Sequence, residues 1–234
     1  MKTIIVGNGS NLKILNESYN SAIAANSSIS RISNLKCTKS LVLSESLLWD
    51  KEKLLLAKDI NSENPFDSKR SLQIRLEKQK ALEGSEVNDL VILSNERDIN
   101  YAKRLEDLKI NYDNLKILSH LGRIKMIIKV IGVLNLFMYF LKKDINILIK
   151  FFLSILKVYL GGRMPLAFRA STGLICIFYA LSKKENNIEI SGIGNNSGNH
   201  SFYNSIYVEN KSLHSIDQDF LKILSNKFSL TFHN

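Results

Sequence analysis

The sequence is poor in the residues that mark several whole classes of protein. Two prolines in 234 residues exclude a proline-rich linker or stalk. The two cysteines, Cys37 and Cys176, lie far apart without metal-ligand spacing. We therefore expect a chain that is not built on disulfides and resides in a reducing compartment. Met1–Gly7 is too short an apolar run for a signal peptide and is interpreted as a strand.

Common catalytic signatures are missing as well. The chain has no Gly-x-Ser-x-Gly elbow, no His-Glu-x-x-His helix, no phosphate-binding loop of the NTPase type and no zinc-cluster spacing. Its chemistry must therefore be sought in weaker patterns.

Acidic residues are scarce in one fifth of the chain. Residues 121–170 hold nine Lys or Arg against one acid, Asp144, which leaves +8 of the total net charge of +10. The nine are Arg123, Lys125, Lys129, Lys142, Lys143, Lys150, Lys157, Arg163 and Arg169. An excess of positive charge confined to so short a stretch indicates contact with an anionic partner. The charges stand among long aliphatic runs without base-reading aromatic residues, which disfavours nucleic acid as the partner.

Short apolar runs alternate with helical patterns along the chain. The predicted strands are Thr3–Val6, Leu41–Leu43, Leu90–Leu93, Leu115–Leu118, Ile188–Ile190 and Phe228–Phe232. The predicted helices are Leu47–Lys58, Ser71–Leu82, Asp98–Leu108, Leu174–Leu181 and Ile216–Leu224. This alternation predicts one α/β domain over residues 1–234, with a Rossmann-like, mostly parallel sheet and helices on both faces.

Residues 121–168, here called the basic helical segment, break the alternation. Two apolar runs, Met126–Leu141 and Ile145–Leu160, are interrupted by lysines and end at Gly161-Gly162. Each is shorter than the roughly 20 apolar residues of a membrane-spanning helix. Two interpretations remain open: an insertion that lies in a membrane interface, or a helical hairpin packed on the sheet.

Two glycine-containing turns are candidates for binding a phosphate or a ribose. Gly7-Asn8-Gly9-Ser10 follows the first strand, although Leu12 stands where the dinucleotide fingerprint has its third glycine. Ser171-Thr172-Gly173 precedes a helix, where it either caps that helix or binds a phosphate. Arg169, two residues earlier, is suited to supporting an anion.

His214-Ser215 precedes the last predicted helix. Ser215 is a plausible N-cap, and a histidine that titrates near neutral pH is suited to general base catalysis. Asp217 and Asp219 suit the positive end of that helix. Their acid-x-acid spacing also matches a divalent-metal motif of nucleotide-sugar enzymes, which is the weaker alternative.

The order of these motifs resembles that of the bacterial sialyltransferases of glycosyltransferase family 42. The shared features are a strand followed by Gly-Asn-Gly at Gly7–Gly9, an Arg-x-(Ser/Thr)-(Ser/Thr)-Gly turn at Arg169–Gly173 and a strand ending in Ser191-Gly192-Ile193. A His-Ser pair then follows, with Asp219 five residues after the histidine. The match covers residues 1 to about 48 and 169 to the end; the middle of the chain diverges.

The resemblance implies inverting, metal-independent transfer of sialic acid from CMP-sialic acid to a glycan or glycolipid acceptor of the lipooligosaccharide or capsule type. It implies a GT-A-like sialyltransferase fold, with His214 as general base and no cofactor. The residues placed at the nucleotide are Asn8, Gly9, Ser10, Asn34, Ser44, Ser171, Thr172, Gly173 and Gly192. Ser44 replaces an asparagine of the family. The expected location is cytoplasmic, peripheral to the inner face of the cell membrane through residues 121–168, and a homo-oligomer is left open.

One departure concerns the leaving group. The family places tyrosine hydroxyls near the leaving phosphate, whereas this chain has Gly194, Asn195 and Asn196 there, followed by Phe202 and Tyr203. Tyr203 or His200 is the expected substitute, and the expected catalytic residues are His214, Tyr203 and Arg169. The alternatives are another CMP-activated acidic sugar, such as Kdo or another nonulosonic acid, and a non-catalytic module that binds nucleotide sugars or membranes.

Overall fold

Seven parallel strands form one sheet in the computed structural model, which describes residues 2–9, 18–49, 75–94, 99–165, 168–193 and 215–233. The strands are β1 Lys2–Val6, β2 Ser21–Ala25, β3 Thr38–Ser44, β4 Glu86–Leu93, β5 Asn111–Leu118, β6 Asn187–Ser191 and β7 Leu230–His233. Their order across the sheet is β5-β4-β3-β2-β1-β6-β7, and every neighbouring pair is parallel. The strand order therefore reverses between β1 and β6.

Six α-helices have defined bounds: α1 Tyr101–Asp107, α2 His120–Ile131, α3 Val133–Lys143, α4 Ile145–Tyr159, α5 Thr172–Ser182 and α6 Ser215–Lys227. Two short 3₁₀ helices, Asn26–Arg31 and Glu45–Leu47, follow β2 and β3, and residues 75–80 are also helical. Helices α2, α3 and α4 lie within the basic helical segment and connect β5 to α5.

The strands bury both faces, as expected for a parallel sheet covered on each side. Ile5 points into a core formed with α2, α4, α5 and α6, whereas Ile4 and Val6 point into a second core with α1 and the 3₁₀ segments. Helix α5 is apolar all round and is buried from Leu174 to Ala180, which places it at the centre of the first core. The predicted α/β class, with helices on both faces of a parallel sheet, is confirmed.

Three local predictions are corrected. Strand β2 was not predicted, because its sequence Ser-Ala-Ile-Ala-Ala lacks the β-branched run that identifies the other central strands. The run Met126–Leu141 is two helices, because Gly132 adopts a φ of +91° and ends α2. The last strand begins at Leu230 rather than at Phe228. In the predicted helix Leu47–Lys58, Leu47 is the last residue of a 3₁₀ turn, Leu48 and Trp49 are not helical, and the rest lies outside the described residues.

Within the described ranges, none of the helices has both the length and the apolar composition needed to cross a membrane by itself. Helices α2 and α3 reach that length only as a pair, and they are bent by 89° with respect to each other. That the segment is an insertion within a single domain stays a prediction.

Candidate active site at the carboxyl edge of the sheet

The strand-order reversal places two glycine-containing turns against each other. Gly7 N donates to the Ser191 carbonyl at 2.8 Å, and Gly9 N donates to the Gly192 carbonyl at 3.0 Å. A Cβ on Gly7 would lie 2.3 Å from that same Gly192 oxygen, so only glycine fits there. In open α/β sheets, ligands bind outside the carboxyl ends of the strands at such a reversal. The turn Gly7–Gly9, here the glycine turn, thus stands at the expected position.

The glycine turn is also anchored to the β2 side of the sheet. Asn8 is buried, and its Oδ1 accepts a hydrogen bond from Ser27 Oγ at 3.3 Å. The Gly9 carbonyl accepts from Arg31 Nη1 at 2.7 Å. Ser10, the last residue of the predicted motif, lies outside the described residues. These contacts hold Asn8 and Gly9 in a defined conformation at the end of β1.

The start of α5 contacts the turn that follows β6, Gly192-Ile193, here the Gly192 turn. Ser171 Oγ accepts from Leu174 N at 3.2 Å, which is the capping bond predicted for this residue. Thr172 is half-buried at the first position of the helix. A Cβ on Gly173 would lie 3.2 Å from the side chain of Ile193, so the small residue permits close approach. The helix N-terminus, where backbone N–H groups favour anions, therefore lies beside the Gly192 turn.

The first turn of α6 is hydrogen-bonded to the N-terminus of α5. Asp217 Oδ1 accepts a hydrogen bond from Ser171 N at 3.0 Å, which joins the N-termini of α5 and α6. Helix α6 begins at Ser215, immediately after His214 in the chain. His214 and Tyr203, the predicted catalytic residues, both lie outside the described residues. The contact of Asp217 places the first turn of α6 beside the N-terminus of α5.

The two acids of the acid-x-acid pattern contact different elements. Asp219 accepts from Lys143 Nζ at 2.7 Å and from the Tyr139 hydroxyl at 2.9 Å, which ties α6 to α3. Burial, together with the hydrogen bond to Asp219 and its charge, raises the pKa of Tyr139 to about 12. Asp217 is bound to Ser171, as above. Both carboxylates therefore have structural contacts on the protein itself.

Two other predicted nucleotide residues lie at the far side of β2. Ser44 N donates to Asn26 Oδ1 at 2.8 Å, and Ser44 Oγ lies 3.2 Å from Ser46 Oγ. Asn34 is exposed in the turn that follows the first 3₁₀ helix. Within the described ranges, no hydrogen bond joins Asn34 or Ser44 to the glycine turn. The structure brings together Asn8, Gly9, Gly192 and Ser171–Gly173, but not these two.

Four basic residues, the arginine cluster of His120, Arg123, Arg163 and Arg169, add to this edge. Arg123 is only 7% exposed; its Nη2 donates to the Ser94 carbonyl at 2.7 Å and lies 3.1 Å from His120 Nδ1. Arg169 Nη2 donates to the Met164 carbonyl at 3.0 Å. Ser94 and His120 follow β4 and β5, so the cluster extends the carboxyl edge beyond the glycine turn.

The charges in the arginine cluster act strongly on one another. Burial, and then the charges of Arg123, Arg169 and Arg163, lower the pKa of His120 to about 3, so this imidazole is neutral at pH 7. Burial and the charge of Arg169 lower the pKa of Arg123 to about 10, although buried Glu45 opposes the shift. Burial and Arg163 lower the pKa of Arg169 as well. Such mutual shifts indicate a surplus of positive charge that an anion would relieve.

His120 and Arg123 were not predicted as site residues. The basic count over residues 121–170 included Arg123 but did not distinguish it from the lysines around it. A usable signal does exist: His-x-x-Arg follows directly after a predicted strand, at the carboxyl edge where parallel sheets bind ligands.

The comparisons with known proteins give a limited picture. No protein-family model matches the chain, and no curated protein matches it significantly. One similar solved structure is the sialyltransferase CstII from Campylobacter jejuni with the substrate analogue CMP-3FNeuAc, at 14% identity and a TM-score of 0.42 over 99% of this chain and 81% of that chain. Another, monomeric CstII, has 13% identity and a TM-score of 0.41 over 100% and 81%. These values are too low to indicate an activity for this chain.

Proposed function

We propose that this protein is a glycosyltransferase that moves a sialic-acid-type sugar from its CMP-activated donor to a glycan acceptor. One observation carries the proposal: four segments remote in sequence meet at the strand-order reversal. The glycine turn binds the Gly192 turn, Gly173 packs on Ile193, and Ser171 binds Asp217, three residues after His214 in the chain. The described parts of the motifs that resemble family 42 thus lie close together, which supports the proposal.

The proposed donor contacts follow from the chemistry of each group. The glycine turn offers backbone close to a ribose or phosphate, and the N-terminus of α5 offers N–H donors and the positive end of a helix dipole to the CMP phosphate. Arg169 lies two residues before Ser171 and adds a charge that suits the phosphate or the carboxylate of an acidic sugar. These groups bind charge without a metal, in keeping with the metal-independent transfer expected from the resemblance.

In the proposed reaction, an acceptor hydroxyl attacks the anomeric carbon as the bond to the CMP phosphate oxygen breaks. His214 accepts the hydroxyl proton, and CMP leaves with the electron pair of the broken bond. Tyr203 is proposed to donate a hydrogen bond to the leaving phosphate, and Arg169 to balance its developing charge. The new glycosidic bond has the inverted configuration, because the attack occurs opposite the leaving group.

Release of CMP from candidate donors tests this proposal. We expect CMP release from CMP-sialic acid or, alternatively, from CMP-Kdo, unchanged by EDTA. His214→Ala should abolish release and leave CMP binding intact, because the base does not hold the nucleotide. His233→Ala is the matched control, since His233 contacts Glu189 elsewhere on the sheet. Full activity of His214→Ala would remove His214 as the base, and CMP binding without release from any donor would indicate a non-catalytic module.

We further propose that the α3–α4 hairpin brings the enzyme to a membrane surface. Its outer face exposes a continuous set of large apolar side chains: Val133, Leu134, Phe137, Met138, Leu141, Ile145, Ile149, Phe152, Leu153, Leu156, Tyr159 and Leu160. Phe137 and Phe152 contact each other across the hairpin, with ring centroids 6.3 Å apart. An apolar patch of this extent is typical of a surface that contacts a partner or a lipid phase.

The charges around the apolar face favour an anionic membrane as that partner. Lys142, Lys150 and Lys157 are exposed on the hairpin, and Asp144, which caps α4, is its single acid. Basic residues beside an apolar helical face are the pattern of helices that lie in the interface of anionic bilayers. The lipid-linked acceptor and the cytoplasmic, peripheral location are part of this proposal.

Vesicle binding tests the hairpin. The triple substitution of Lys142, Lys150 and Lys157 with Gln should weaken binding to phosphatidylserine-containing vesicles by about 3 kcal/mol, at about 1 kcal/mol for each charge. The same substitution of Lys36, Lys80 and Lys103, which are exposed elsewhere, is the control for net charge. Lys143 is left unchanged because it binds Asp219. Equal losses in the two triple variants, or none in either, would contradict a specific role for the hairpin.

A further inference from the structure

A cleft opens beside the arginine cluster, between α2, α4, α5 and α6. It is narrow and partly open to solvent. His120, Arg123 and Arg169 form its polar end. The rest of the lining is apolar, from Ile124, Ile127, Ile128, Phe151, Met164, Phe168, Ala170, Ile175 and Phe220. This cleft, here the arginine cleft, is thus polar at one end only.

Two buried nitrogens at the polar end have no hydrogen-bond partner in the part of the chain that the structure describes. They are His120 Nε2 and Arg169 Nε. A guanidinium nitrogen cannot accept a hydrogen bond, so Arg123 Nη2 is the donor and His120 Nδ1 the acceptor in their contact. The neutral imidazole therefore carries its hydrogen on Nε2. Both unpaired atoms are therefore donors. Buried donors without acceptors are costly, and an anion supplies the missing acceptors.

The apolar walls are more than an inorganic anion would need. Ile127, Phe151 and Phe220 are buried, whereas Ile128 and Phe168 are half-buried at the cleft. A phosphate ion would contact only the polar end and leave the half-buried Ile128 and Phe168 partly exposed to water. An alkyl chain attached to the anion would cover them, which favours binding in proportion to the apolar area removed from water.

Helix α4 contributes to both the cleft and the outer face of the hairpin. Phe151 lines the cleft, and its neighbour in the chain, Phe152, belongs to the exposed apolar face of the α3–α4 hairpin. The arginine cleft and the surface proposed to contact lipid are therefore formed on the same helix.

We infer that the arginine cleft binds an amphipathic anion, a phosphate or carboxylate joined to an alkyl chain, with the anion at His120, Arg123 and Arg169 and the chain along Ile127, Ile128 and Phe151. That this ligand is the lipid part of the acceptor rests on the proposed function. Binding itself rests only on the cleft, and the two are tested separately.

Calorimetric titration with dodecyl phosphate below its micelle concentration tests the inference, with inorganic phosphate and dodecyl maltoside as the other probes. Dodecyl phosphate should bind at least about tenfold more tightly than either, because only it has both halves of the ligand. Equal affinity for inorganic phosphate would show that the apolar walls contribute nothing. Equal affinity for dodecyl maltoside would show that the arginine cluster contributes nothing to binding. Either result overturns the inference.

Variants locate the site. Ile128→Trp, which fills the apolar part, and Arg169→Gln, which removes a donor, should each weaken dodecyl phosphate binding at least about tenfold. Lys125→Gln is the matched control: it removes one charge from an exposed position on α2 that does not line the cleft. The His120 side-chain NMR signals should shift with dodecyl phosphate in the wild-type protein. Unchanged signals, or equal losses in all three variants, would contradict the assignment.

Failure of the arginine cleft proposal and failure of the proposed function give different results. Because Arg169 belongs to both proposals, CMP binding and CMP release are measured without dodecyl phosphate, and in Ile128→Trp as well as the wild type, so loss of one result leaves the other readable. Dodecyl phosphate binding without any CMP release would leave the cleft as a lipid-anion site on a protein of another activity. CMP release without dodecyl phosphate binding would leave the transferase with an acceptor of another class.

Discussion

Two groups of ionisable side chains at this sheet differ in how completely their charges are balanced. Glu189, on β6, accepts from the Tyr19 hydroxyl at 3.0 Å, pairs with Lys2 Nζ at 2.7 Å and lies 3.1 Å from His233 Nε2, which makes no hydrogen bond within the described residues. The arginine cluster instead gathers four basic groups near one buried acid, Glu45, and leaves two donor nitrogens unpaired among the described residues. The first group has the pattern of a structural network, and the second that of a binding site.

The contrast also appears in the direction of the pKa shifts. Burial by itself would raise the pKa of Glu189, but the contacts with Lys2, Tyr19 and His233 outweigh it and hold that pKa below its ordinary value. In the arginine cluster, burial and neighbouring charges act in the same direction and both lower the pKa of His120. The contacts of Glu189 stabilise its charged form and so favour folding. The like charges of the arginine cluster repel one another, which costs stability that a bound anion can restore.

The largest expected effect comes from the turn that joins the two halves of the site. Gly7→Ala would place a Cβ 2.3 Å from the Gly192 oxygen and 2.4 Å from the Ile193 side chain. We expect a loss of about 2 to 3 kcal/mol in the free energy of unfolding, measured with urea, and loss of CMP binding. Gly122→Ala, where the nearest atom would be 3.4 Å away, should not destabilise the protein and should add up to about 1 kcal/mol, because alanine is the better helix former in α2. Normal CMP binding by Gly7→Ala would separate the glycine turn from the site.

Neutralising the balanced group should come next in size. Glu189→Gln removes the charge that Lys2 and His233 face and should cost about 2 kcal/mol of unfolding free energy. Asp107→Asn breaks the more exposed pair with Arg104 on α1 and should cost less than about 0.5 kcal/mol. If both variants lost the same small amount, Glu189 would be a surface charge in energetic terms and the contrast between the two groups would fail.

The arginine cluster and the Glu189 group should contribute to the free energy of unfolding over different pH ranges. The folded-state pKa of His120 is lowered to about 3 from an ordinary 6.5, so the unfolded chain binds a proton first as the pH falls. Stability attributable to neutral His120 is present above pH 6.5 and is lost progressively toward pH 3. The pKa of Glu189 is lowered below an ordinary 4.5, so its contribution is present above pH 4.5 and is lost below it.

Urea unfolding at a series of pH values measures these windows. His120→Asn should flatten the dependence between pH 6.5 and 4.5, and Glu189→Gln should flatten it below pH 4.5. Interchanged windows, or a pH profile that neither substitution changes, would contradict the assigned directions.

The parts of this site that follow from sequence are those encoded within a few residues. The apolar runs identified β1, β3, β4 and β6, and the Ser171 cap was recognised because a hydroxyl residue immediately preceded an apolar helix. Strand order is different in kind: β1 lies beside β6 through a pairing between residues 2–6 and 187–191, which no local pattern records. The contact of Gly7 with Gly192 was therefore not predicted; the resemblance implied only that Gly9 and Gly192 lie at the same nucleotide.

The arginine cluster escaped prediction for the same physical reason. Arg123 and Arg169 are 46 positions apart in numbering, on either side of the whole hairpin, and come together only because α2 and α5 pack in one core. In sequence Arg123 is one of nine basic residues; in the structure it is the buried one, held by the Ser94 carbonyl. Burial rather than charge distinguishes it from the exposed lysines, and burial depends on the tertiary packing.

The smallest expected effect tests whether the arginine cluster is coupled through charge. Arg163 is exposed, and its charge is the weakest of the three that lower the pKa of His120. Arg163→Gln should therefore raise the His120 pKa slightly and leave the fold intact, whereas Lys125→Gln, also exposed, should leave it unchanged. Side-chain NMR of His120 over the acid range gives the measurement, repeated in 1 M salt. The difference between the two variants should shrink in high salt, because exposed charges are screened over about 3 Å at that ionic strength. A His120 pKa that is indifferent to both Arg163→Gln and salt would mean that burial alone sets it, and the surplus of positive charge would then no longer distinguish this cluster from the balanced group at Glu189.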